Sequence, residues 1–417
     1  MRILIYSYNY HPEPIGIAPL MTELAEGLVQ RGHQVRVVTA MPNYPERQIY
    51  PGYRDKIYTT EERNGVQIQR CYVWIRPNPG LAARALLDGS FVLLSFIQSL
   101  QGWRPDIILY TSPSLPASVP VAVLKLLYRC PTILNLQDIL PEAAVQTGLI
   151  SNPLAIRVFE TLESFCYSTA SHISVIAEGF RQNLLGKKVK DAKMSIISNW
   201  VDVNFIRPLP KYDNEFRQKN SLEKKFVVLY AGNIARTQGI TTIIKAAYKL
   251  RSIPEITFVI VGEQSQLADL EKLRQEMGVS NVLLRPFAPR AQLPEMLAAA
   301  DVGLIMQKQN VVGFNMPSKT QVLLASGRPI IASVPLEGTA AQAVQASGGG
   351  LVVEPERPVA LADAIFDLYN HPQKVQHLGE TGRQYALDYY SFEQALNRYE
   401  NLFQQMVAVP KATVKVL

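Results

Sequence analysis

Short, mostly apolar runs alternate along this chain with segments of helical spacing; the alternation stops near residue 207 and then starts again. In the first half, runs at 3–6, 34–39, 105–110, 132–135, 171–175 and 195–197 read as strands, and 21–30 reads as a helix closed by Gly32. In the second half, strands are expected at 226–230, 256–261, 282–284, 302–306, 330–333 and 351–353. Helices are expected there at 241–250, 265–276, 293–299, 319–325 and 360–369. Short apolar strands separated by helices imply βαβ units and a parallel sheet covered on both faces. The fold class is therefore α/β, with two Rossmann-like domains, expected to present the carboxyl ends of their strands to a central cleft.

Size agrees with two domains. At 417 residues the chain exceeds what one hydrophobic core usually supports. Residues 208–213 and 221–225 are rich in proline and charge, which places the expected boundary between 1–207 and 208–390. With 47% hydrophobic and 18% charged residues, disorder is excluded. A net charge of +7 without a dense Lys/Arg tract argues against nucleic acid; it suits an anionic membrane surface or a phosphorylated substrate, or is an unspecialised basic surface.

Cys71, Cys130 and Cys166 form no CxxC pair, which fits a reducing compartment. The first apolar run is too short for a secretory signal, and residues 81–100 carry Arg84 and Asp88, so neither reads as a membrane span. A cytoplasmic location is expected. Residues 91–97, flanked by Arg84, Trp103 and Arg104, could lie on the inner face of the cytoplasmic membrane; ordinary domain core is the competing reading.

Three loops could hold a phosphate group. The loop after the first strand runs from Ser7 to Ala18, and Gly16 just ahead of the helix would let backbone N–H groups approach an anion; plain turn chemistry explains it as well. Residues 231–239 form a matching strand-to-helix loop in the second half, with Gly232 and a planar guanidinium at Arg236. The third, 312–319, leads into a short helix whose start carries Ser318 and Lys319, a candidate diphosphate cradle. Asp-x-Asp, His-Glu-x-x-His, Gly-x-Ser-x-Gly and Walker patterns are absent, as is the nicotinamide fingerprint, and the histidines do not cluster. His33 reads as a structural histidine at a helix end. Polarising a diphosphate leaving group is the chemistry left standing.

Several segments together resemble one family. They are Asn9-Tyr10-His11-Pro12-Glu13-Pro14-Ile15-Gly16 with Glu23-Leu24-Ala25, and Gln137-Asp138-Ile139-Leu140-Pro141-Glu142-Ala143-Ala144. Ser198-Asn199-Trp200-Val201-Asp202, Gly232-Asn233 with Gln238-Gly239, and Pro317-Ser318-Lys319 with Ala325-Ser326-Gly327-Arg328-Pro329 follow in order. In this order the chain resembles the GT-B-fold retaining glycosyltransferases of family 4, and within them the WcaI-like branch linked to colanic-acid-type exopolysaccharide synthesis.

The resemblance implies a UDP- or GDP-sugar donor held mainly by the second domain, a lipid-linked or oligosaccharide acceptor held mainly by the first, and no cofactor or metal. It also implies that residues 391–417 form a helix crossing back to the first domain. Gly16 takes the place of a residue approaching the donor phosphate, Asp138 is the catalytic candidate beside sugar or acceptor, and Asn315 to Lys319 replace the family's donor loop. Where many members carry a pair of glutamates, this chain has Phe314 and Val322; where they carry Arg and Lys, it has Asn233 and Gln238. Arg236 and Lys319 thus become the cationic partners of the diphosphate, with Glu263 and Glu337 as substitutes for the ribose or sugar contact. The readings kept open beside transfer are an epimerase or hydrolase on the same frame, and a silent sugar-nucleotide-binding scaffold.

Overall fold

A computed structural model describes residues 1–14, 16–76, 80–112, 115–140, 142, 145, 152–313 and 316–408, leaving the side chains of 81, 82 and 236 outside the description. The chain divides into two compact units. The first comprises Met1–Ile176, Leu184–Ile197 and the chain from Leu396 onward; the second comprises Ala177–Asn183 and Ser198–Ala395.

The first unit is built on β1 (Arg2–Tyr6), α1 (Ala18–Gln30), β2 (Gln34–Ala40), β3 (Tyr58–Arg63), β4 (Val66–Cys71), α2 (Leu81–Ser99) and β5 (Ile107–Thr111). It continues with α3 (Ser118–Tyr128), β6 (Thr132–Leu136), α4 (Pro153–Thr169), β7 (His172–Val175), α5 (Glu178–Gly186) and β8 (Met194–Ile196). The sheet order is β3-β4-β2-β1-β5-β6-β7-β8. In β1, Ile3, Leu4, Ile5 and Tyr6 are all fully buried, as a central strand covered on both faces must be. Ile5 stands opposite Val37 of β2 and Leu109 of β5, both parallel pairings.

One strand departs from the expected all-parallel sheet. β3 pairs antiparallel with β4 through a turn at Asn64 (φ 48°) and Gly65 (φ 79°). Two consecutive left-handed residues match the twist of a two-residue hairpin, and Asn-Gly is the pair that adopts them most readily. The hairpin supplies an edge strand that helix-and-strand alternation does not reveal.

The second unit contains α6 (Glu215–Lys219), β9 (Phe226–Ala231), α7 (Thr241–Lys249), β10 (Ile256–Gly262), α8 (Gln264–Glu276), β11 (Val282–Pro286), α9 (Leu293–Ala298) and β12 (Val302–Met306). Then come α10 (Lys319–Ala325), β13 (Ile330–Ser333), α11 (Thr339–Ser347), β14 (Gly350–Val353), α12 (Pro358–Asn370), α13 (Pro372–Tyr389) and α14 (Phe392–Ala408). Its six strands run in the order β11-β10-β9-β12-β13-β14, all parallel. Val228, Tyr230, Phe258 and Ile260 pack on one face of this sheet, and Val227, Leu229, Val259 and Val261 on the other. The alternation along β9 and β10 divides their side chains between two cores.

From Leu396 on, α14 belongs to the first unit. Tyr399 is buried there, and its hydroxyl accepts from Asn135 Nδ2 at 2.7 Å. Glu400 accepts from Arg31 Nη1 at 2.7 Å and lies 2.9 Å from His33 Nε2. The hydrogen bond with His33, and then those from Arg31, hold the Glu400 carboxyl below its ordinary range. His33, just beyond the end of α1, is thereby a tether to the middle of α14.

Candidate functional site

In an open parallel sheet, ligands sit beyond the carboxyl ends of strands where the order reverses direction. In the second sheet that point lies between β9 and its neighbour β12: β10 and β11 extend to one side, β13 and β14 to the other. A cavity of about 450 Å³ opens there, within the range usual for small-molecule sites. Its floor is apolar, from Leu229, Leu304, Ile305, Met306 and Leu323. Its polar groups are Asn233, Thr237, Gln238, Gln307, Ser318 and Lys319.

Lys319 opens α10, and its ammonium is the cation of this cavity among the described side chains. Nζ donates to Tyr230 Oη at 2.6 Å and stands 3.8 Å from the centre of the Tyr230 ring. Tyr230 Oη in turn donates to the carbonyl of Asn233 at 2.6 Å and touches Gln238 Oε1. None of these partners is a carboxylate. Desolvation without a compensating negative charge pushes the Lys319 ammonium down to about 7. An ammonium held this way is ready for a ligand that brings the missing charge.

Gly232 makes the arrangement possible. Its φ is +135°, and a Cβ there would stand 2.4 Å from Lys319 Cε and 2.9 Å from Nζ. Gly232→Ala is therefore expected to displace the lysine from the tyrosine, to add strain of about 1–3 kcal/mol, and to weaken ligand binding. Thermal melts with and without ligand measure both effects; a variant that melts and binds like the wild type would dissociate Gly232 from the site.

Of the residues expected to hold the donor, Gly232, Asn233, Gln238, Ser318 and Lys319 come from two separate segments and line this one cavity. Arg236 begins the 3-10 turn Arg236–Gln238, but its side chain lies outside the described residues, as does Asn315. Glu263, just ahead of α8, and Glu337, in the turn before α11, are both exposed and are not part of the cavity's lining. Val322 is, so the wall is apolar at the position where the resemblance leads one to expect a carboxylate. Tyr230, Thr237 and Gln307 were not singled out in the sequence. Tyr230 sits within an apolar strand, where nothing marks its hydroxyl as reaching a loop.

The two remaining candidates belong to the first unit. Gly16 has φ +72°, is exposed, and would have open space around a Cβ, so backbone conformation alone asks for glycine there. Asp138 follows β6, where Ser112 Oγ accepts from Gln137 N at 2.9 Å and from Asp138 N at 3.5 Å. Its side chain reaches solvent, yet it is recessed in protein, and this partial desolvation raises its carboxyl above the ordinary range. Nearby, the loop after β1 is locked by buried Glu13, which accepts from the N–H groups of Asn43 and Tyr44, each at 2.8 Å, and from Asn9 Nδ2 at 2.7 Å. Burial raises the Glu13 carboxyl, and those three donors oppose the rise. Among the described residues no cluster of His, Cys, Asp and Glu has the form of a metal site.

Comparison with known proteins accords with this geometry. The Glycosyl transferase 4-like domain matches residues 16–200, and the Glycosyl transferases group 1 domain matches residues 211–385. The chain belongs to the glycosyltransferases of the GT-B fold. Within that class its likeness runs to the WcaI branch: it is 30% identical to the putative colanic acid biosynthesis glycosyl transferase WcaI of Escherichia coli K12, over 98% of this chain and 99% of the relative. It is 27% identical to the probable glycosyltransferase WbjE of Pseudomonas aeruginosa, over 64% of this chain and 65% of the relative. Among solved structures, sucrose-phosphate synthase of Thermosynechococcus elongatus superposes with a TM-score of 0.73 at 18% identity, covering 98% of this chain and 99% of its own. Anabaena HepE in complex with UDP superposes with a TM-score of 0.71 at 18% identity, covering 97% and 100%.

Proposed function

We propose that this protein is a retaining, metal-independent glycosyltransferase of exopolysaccharide assembly, taking a sugar from a UDP- or GDP-sugar donor in the second unit. Its acceptor is a lipid-linked or oligosaccharide chain held by the first unit at the inner face of the cytoplasmic membrane. The observation that carries the donor assignment is Lys319: a desolvated ammonium with no carboxylate partner, at the switch point of a parallel sheet. A diphosphate supplies the charge that this site lacks. As the sugar departs, negative charge accumulates on the diphosphate, and a fixed cation beside it stabilises that charge more than the ground state. The relative named for colanic acid biosynthesis supports the pathway, and HepE complexes with UDP and with UDP-glucose support the donor class.

A thermal-shift panel of UDP-, GDP- and ADP-sugars tests this, with and without chelator. The right donor stabilises by about 2.7 kcal/mol at a hundredfold excess over its Kd, and the chelator leaves the shift in place. No shift with any of them sinks the donor reading. Asp138→Asn is expected to keep the donor shift and to lose most of the transfer to a membrane lipid extract, whereas undiminished transfer removes Asp138 from the chemistry. The anomeric configuration of the product, read by NMR coupling constants, tests retention. The apolar wall at Val322 favours one second reading, a sugar-nucleotide-binding protein without transferase activity; it prevails if donors bind and no extract yields product.

A further inference from the structure

Helices α2, α3 and α4 follow β4, β5 and β6, and α3 contacts both of the others. Each leads from its strand to one further along the sheet in the same direction. Right-handed crossovers of one direction fall on one face, so the three helices form a single layer. A helix covering a sheet in water turns its apolar stripe inward and polar residues outward. α3 is apolar on both sides: it buries Val121 and Leu124 and is apolar toward water as well. Its exposed residues are Val119, Val123, Leu126 and Leu127, none of them polar, and Leu126 is 77% exposed.

The neighbours extend the same surface. After Arg84, the exposed residues of α2 are Ala85, Leu86, Gly89, Leu93 and Ile97. Along α4, Leu154, Val158 and Phe165 are exposed on one side of the helix, interspersed with exposed Thr161 and Ser168. Half of the large apolar side chains that the described residues leave in water belong to these helices and the residue that ends α2, Leu100. Singly exposed leucines need no explanation, but such a concentration of them on adjoining helices marks an interaction site. The run at 91–97 contributes less than its sequence suggests, because Phe91 is fully buried and only Leu93 and Ile97 are strongly exposed. Trp103 is not a free anchor, since the Arg36 guanidinium stacks 5.0 Å from its ring centre.

Charge says what covers this face. Exposed arginines stand near the helix ends: Arg84 at the start of α2, Arg104 after it, Arg129 after α3 and Arg157 early in α4. The nearby acids are Glu160, half-buried Asp88, and Asp106, which accepts from the Arg2 N–H. Two copies meeting on this face about a two-fold axis would bring like-charged arginine rims together. An anionic bilayer takes both parts, acyl chains against the leucines and headgroups against the guanidinium groups. No helix of the described residues is long and apolar enough to cross a membrane, so the contact is one of lying on the surface.

We propose that α2, α3 and α4 form a docking face that seats the first unit on an anionic lipid bilayer, with Leu126 and Leu127 entering it. This deepens the lipid-linked reading of the acceptor, and it is tested without acceptor so that either can fail alone. The full chain is sedimented with vesicles of phosphatidylglycerol and phosphatidylcholine, and with phosphatidylcholine vesicles, at low and high salt. Wild type pellets with the anionic vesicles and is partly released by salt. The double variant Leu126→Gln/Leu127→Gln lowers vesicle partitioning at least about tenfold while keeping the wild-type melting temperature and donor shift. Arg129→Gln/Arg157→Gln weakens binding to anionic vesicles roughly tenfold and blunts the salt dependence. Wild type remaining in the supernatant, or the leucine variant pelleting like wild type, overturns the proposal. So does light scattering that finds a wild-type dimer made monomeric by the leucine variant, which would assign the face to a second copy.

Discussion

Replacing Lys319 with methionine is expected to remove much of the donor-induced thermal shift at neutral pH and, at the same pH, to raise the melting temperature of the free protein. Both effects come from one cause. The ammonium is desolvated against Tyr230 with no negative partner, so the folded state holds it at about 7, whereas an unfolded lysine titrates near 10.4. Below pH 7 both states carry the proton, and the folded one bears the full cost of a desolvated charge. Between about 7 and 10.4 the unfolded state binds a proton that the folded state lacks, so stability rises with pH across that window. The gain from methionine is therefore largest in mild acid and fades as pH rises. Donor binding runs the other way. A diphosphate binds the ammonium form, so affinity is flat below pH 7 and falls up to tenfold per pH unit above it, until the pKa of the complex is reached. A hydrogen bond to a charged group contributes about 1.5–3 kcal/mol, which makes the loss roughly ten- to hundredfold in Kd. Melting curves with and without donor from about pH 6 to pH 9 check every part. An unchanged donor shift in the variant would take Lys319 out of the site.

Parallel strands were the most legible part of the fold, because burial on both faces makes them mostly apolar, with exceptions such as buried Arg36 and Asn135; β12 and β13 fall on the expected residues. The β3–β4 hairpin was legible too, in Asn64-Gly65, but α/β alternation draws attention away from an antiparallel pair. Helix α13 was not legible. Its buried positions are Gly379, Gly382 and Ala386; a Cβ at Gly379 would stand 2.4 Å from the Gly327 carbonyl oxygen, and one at Gly382 would stand 3.1 Å from Gly349 Cα. Its closest contacts are made by backbone at glycines, which leave gaps in the apolar stripe that Val375, Leu378 and Tyr385 supply. The site divides similarly. Loop glycines and the start of α10 mark Gly232 and Lys319, but the partner that desolvates the lysine, Tyr230, looks like any strand residue. Glu263 and Glu337 stand at sequence positions next to strand ends, and sequence position does not decide which way a side chain leaves the backbone.

The largest stability effect is expected at Asp301, which precedes β12 and is 4% exposed. Its Oδ2 accepts from Arg217 Nη2 at 2.6 Å and from the Val227 N–H at 2.8 Å, and its Oδ1 from Lys211 Nζ at 2.6 Å. Lys211 and Arg217 belong to the charged, proline-rich stretch between the two sheets, so this carboxylate pins that stretch to the beginning of β9. Arg217 has further partners in the carbonyls of Ala299, Leu222 and Lys225. Those dipoles satisfy its protons without neutralising its charge. Asp301→Ala leaves a buried guanidinium uncompensated and a strand N–H unpaired, which is expected to cost about 3–5 kcal/mol. Lys211→Met should cost under about 1 kcal/mol, because that side chain is 34% exposed and screened by water. The double variant Asp301→Leu/Arg217→Met should recover much of the single-variant loss, since removing both members of a buried pair avoids the stranded charge. Urea melts decide between the cases: the midpoint for the unit containing Asp301 falls while its m-value stays constant. An Asp301→Ala protein within about 0.5 kcal/mol of wild type would mean that the carbonyl cage alone carries Arg217, and the carboxylate would lose its structural role.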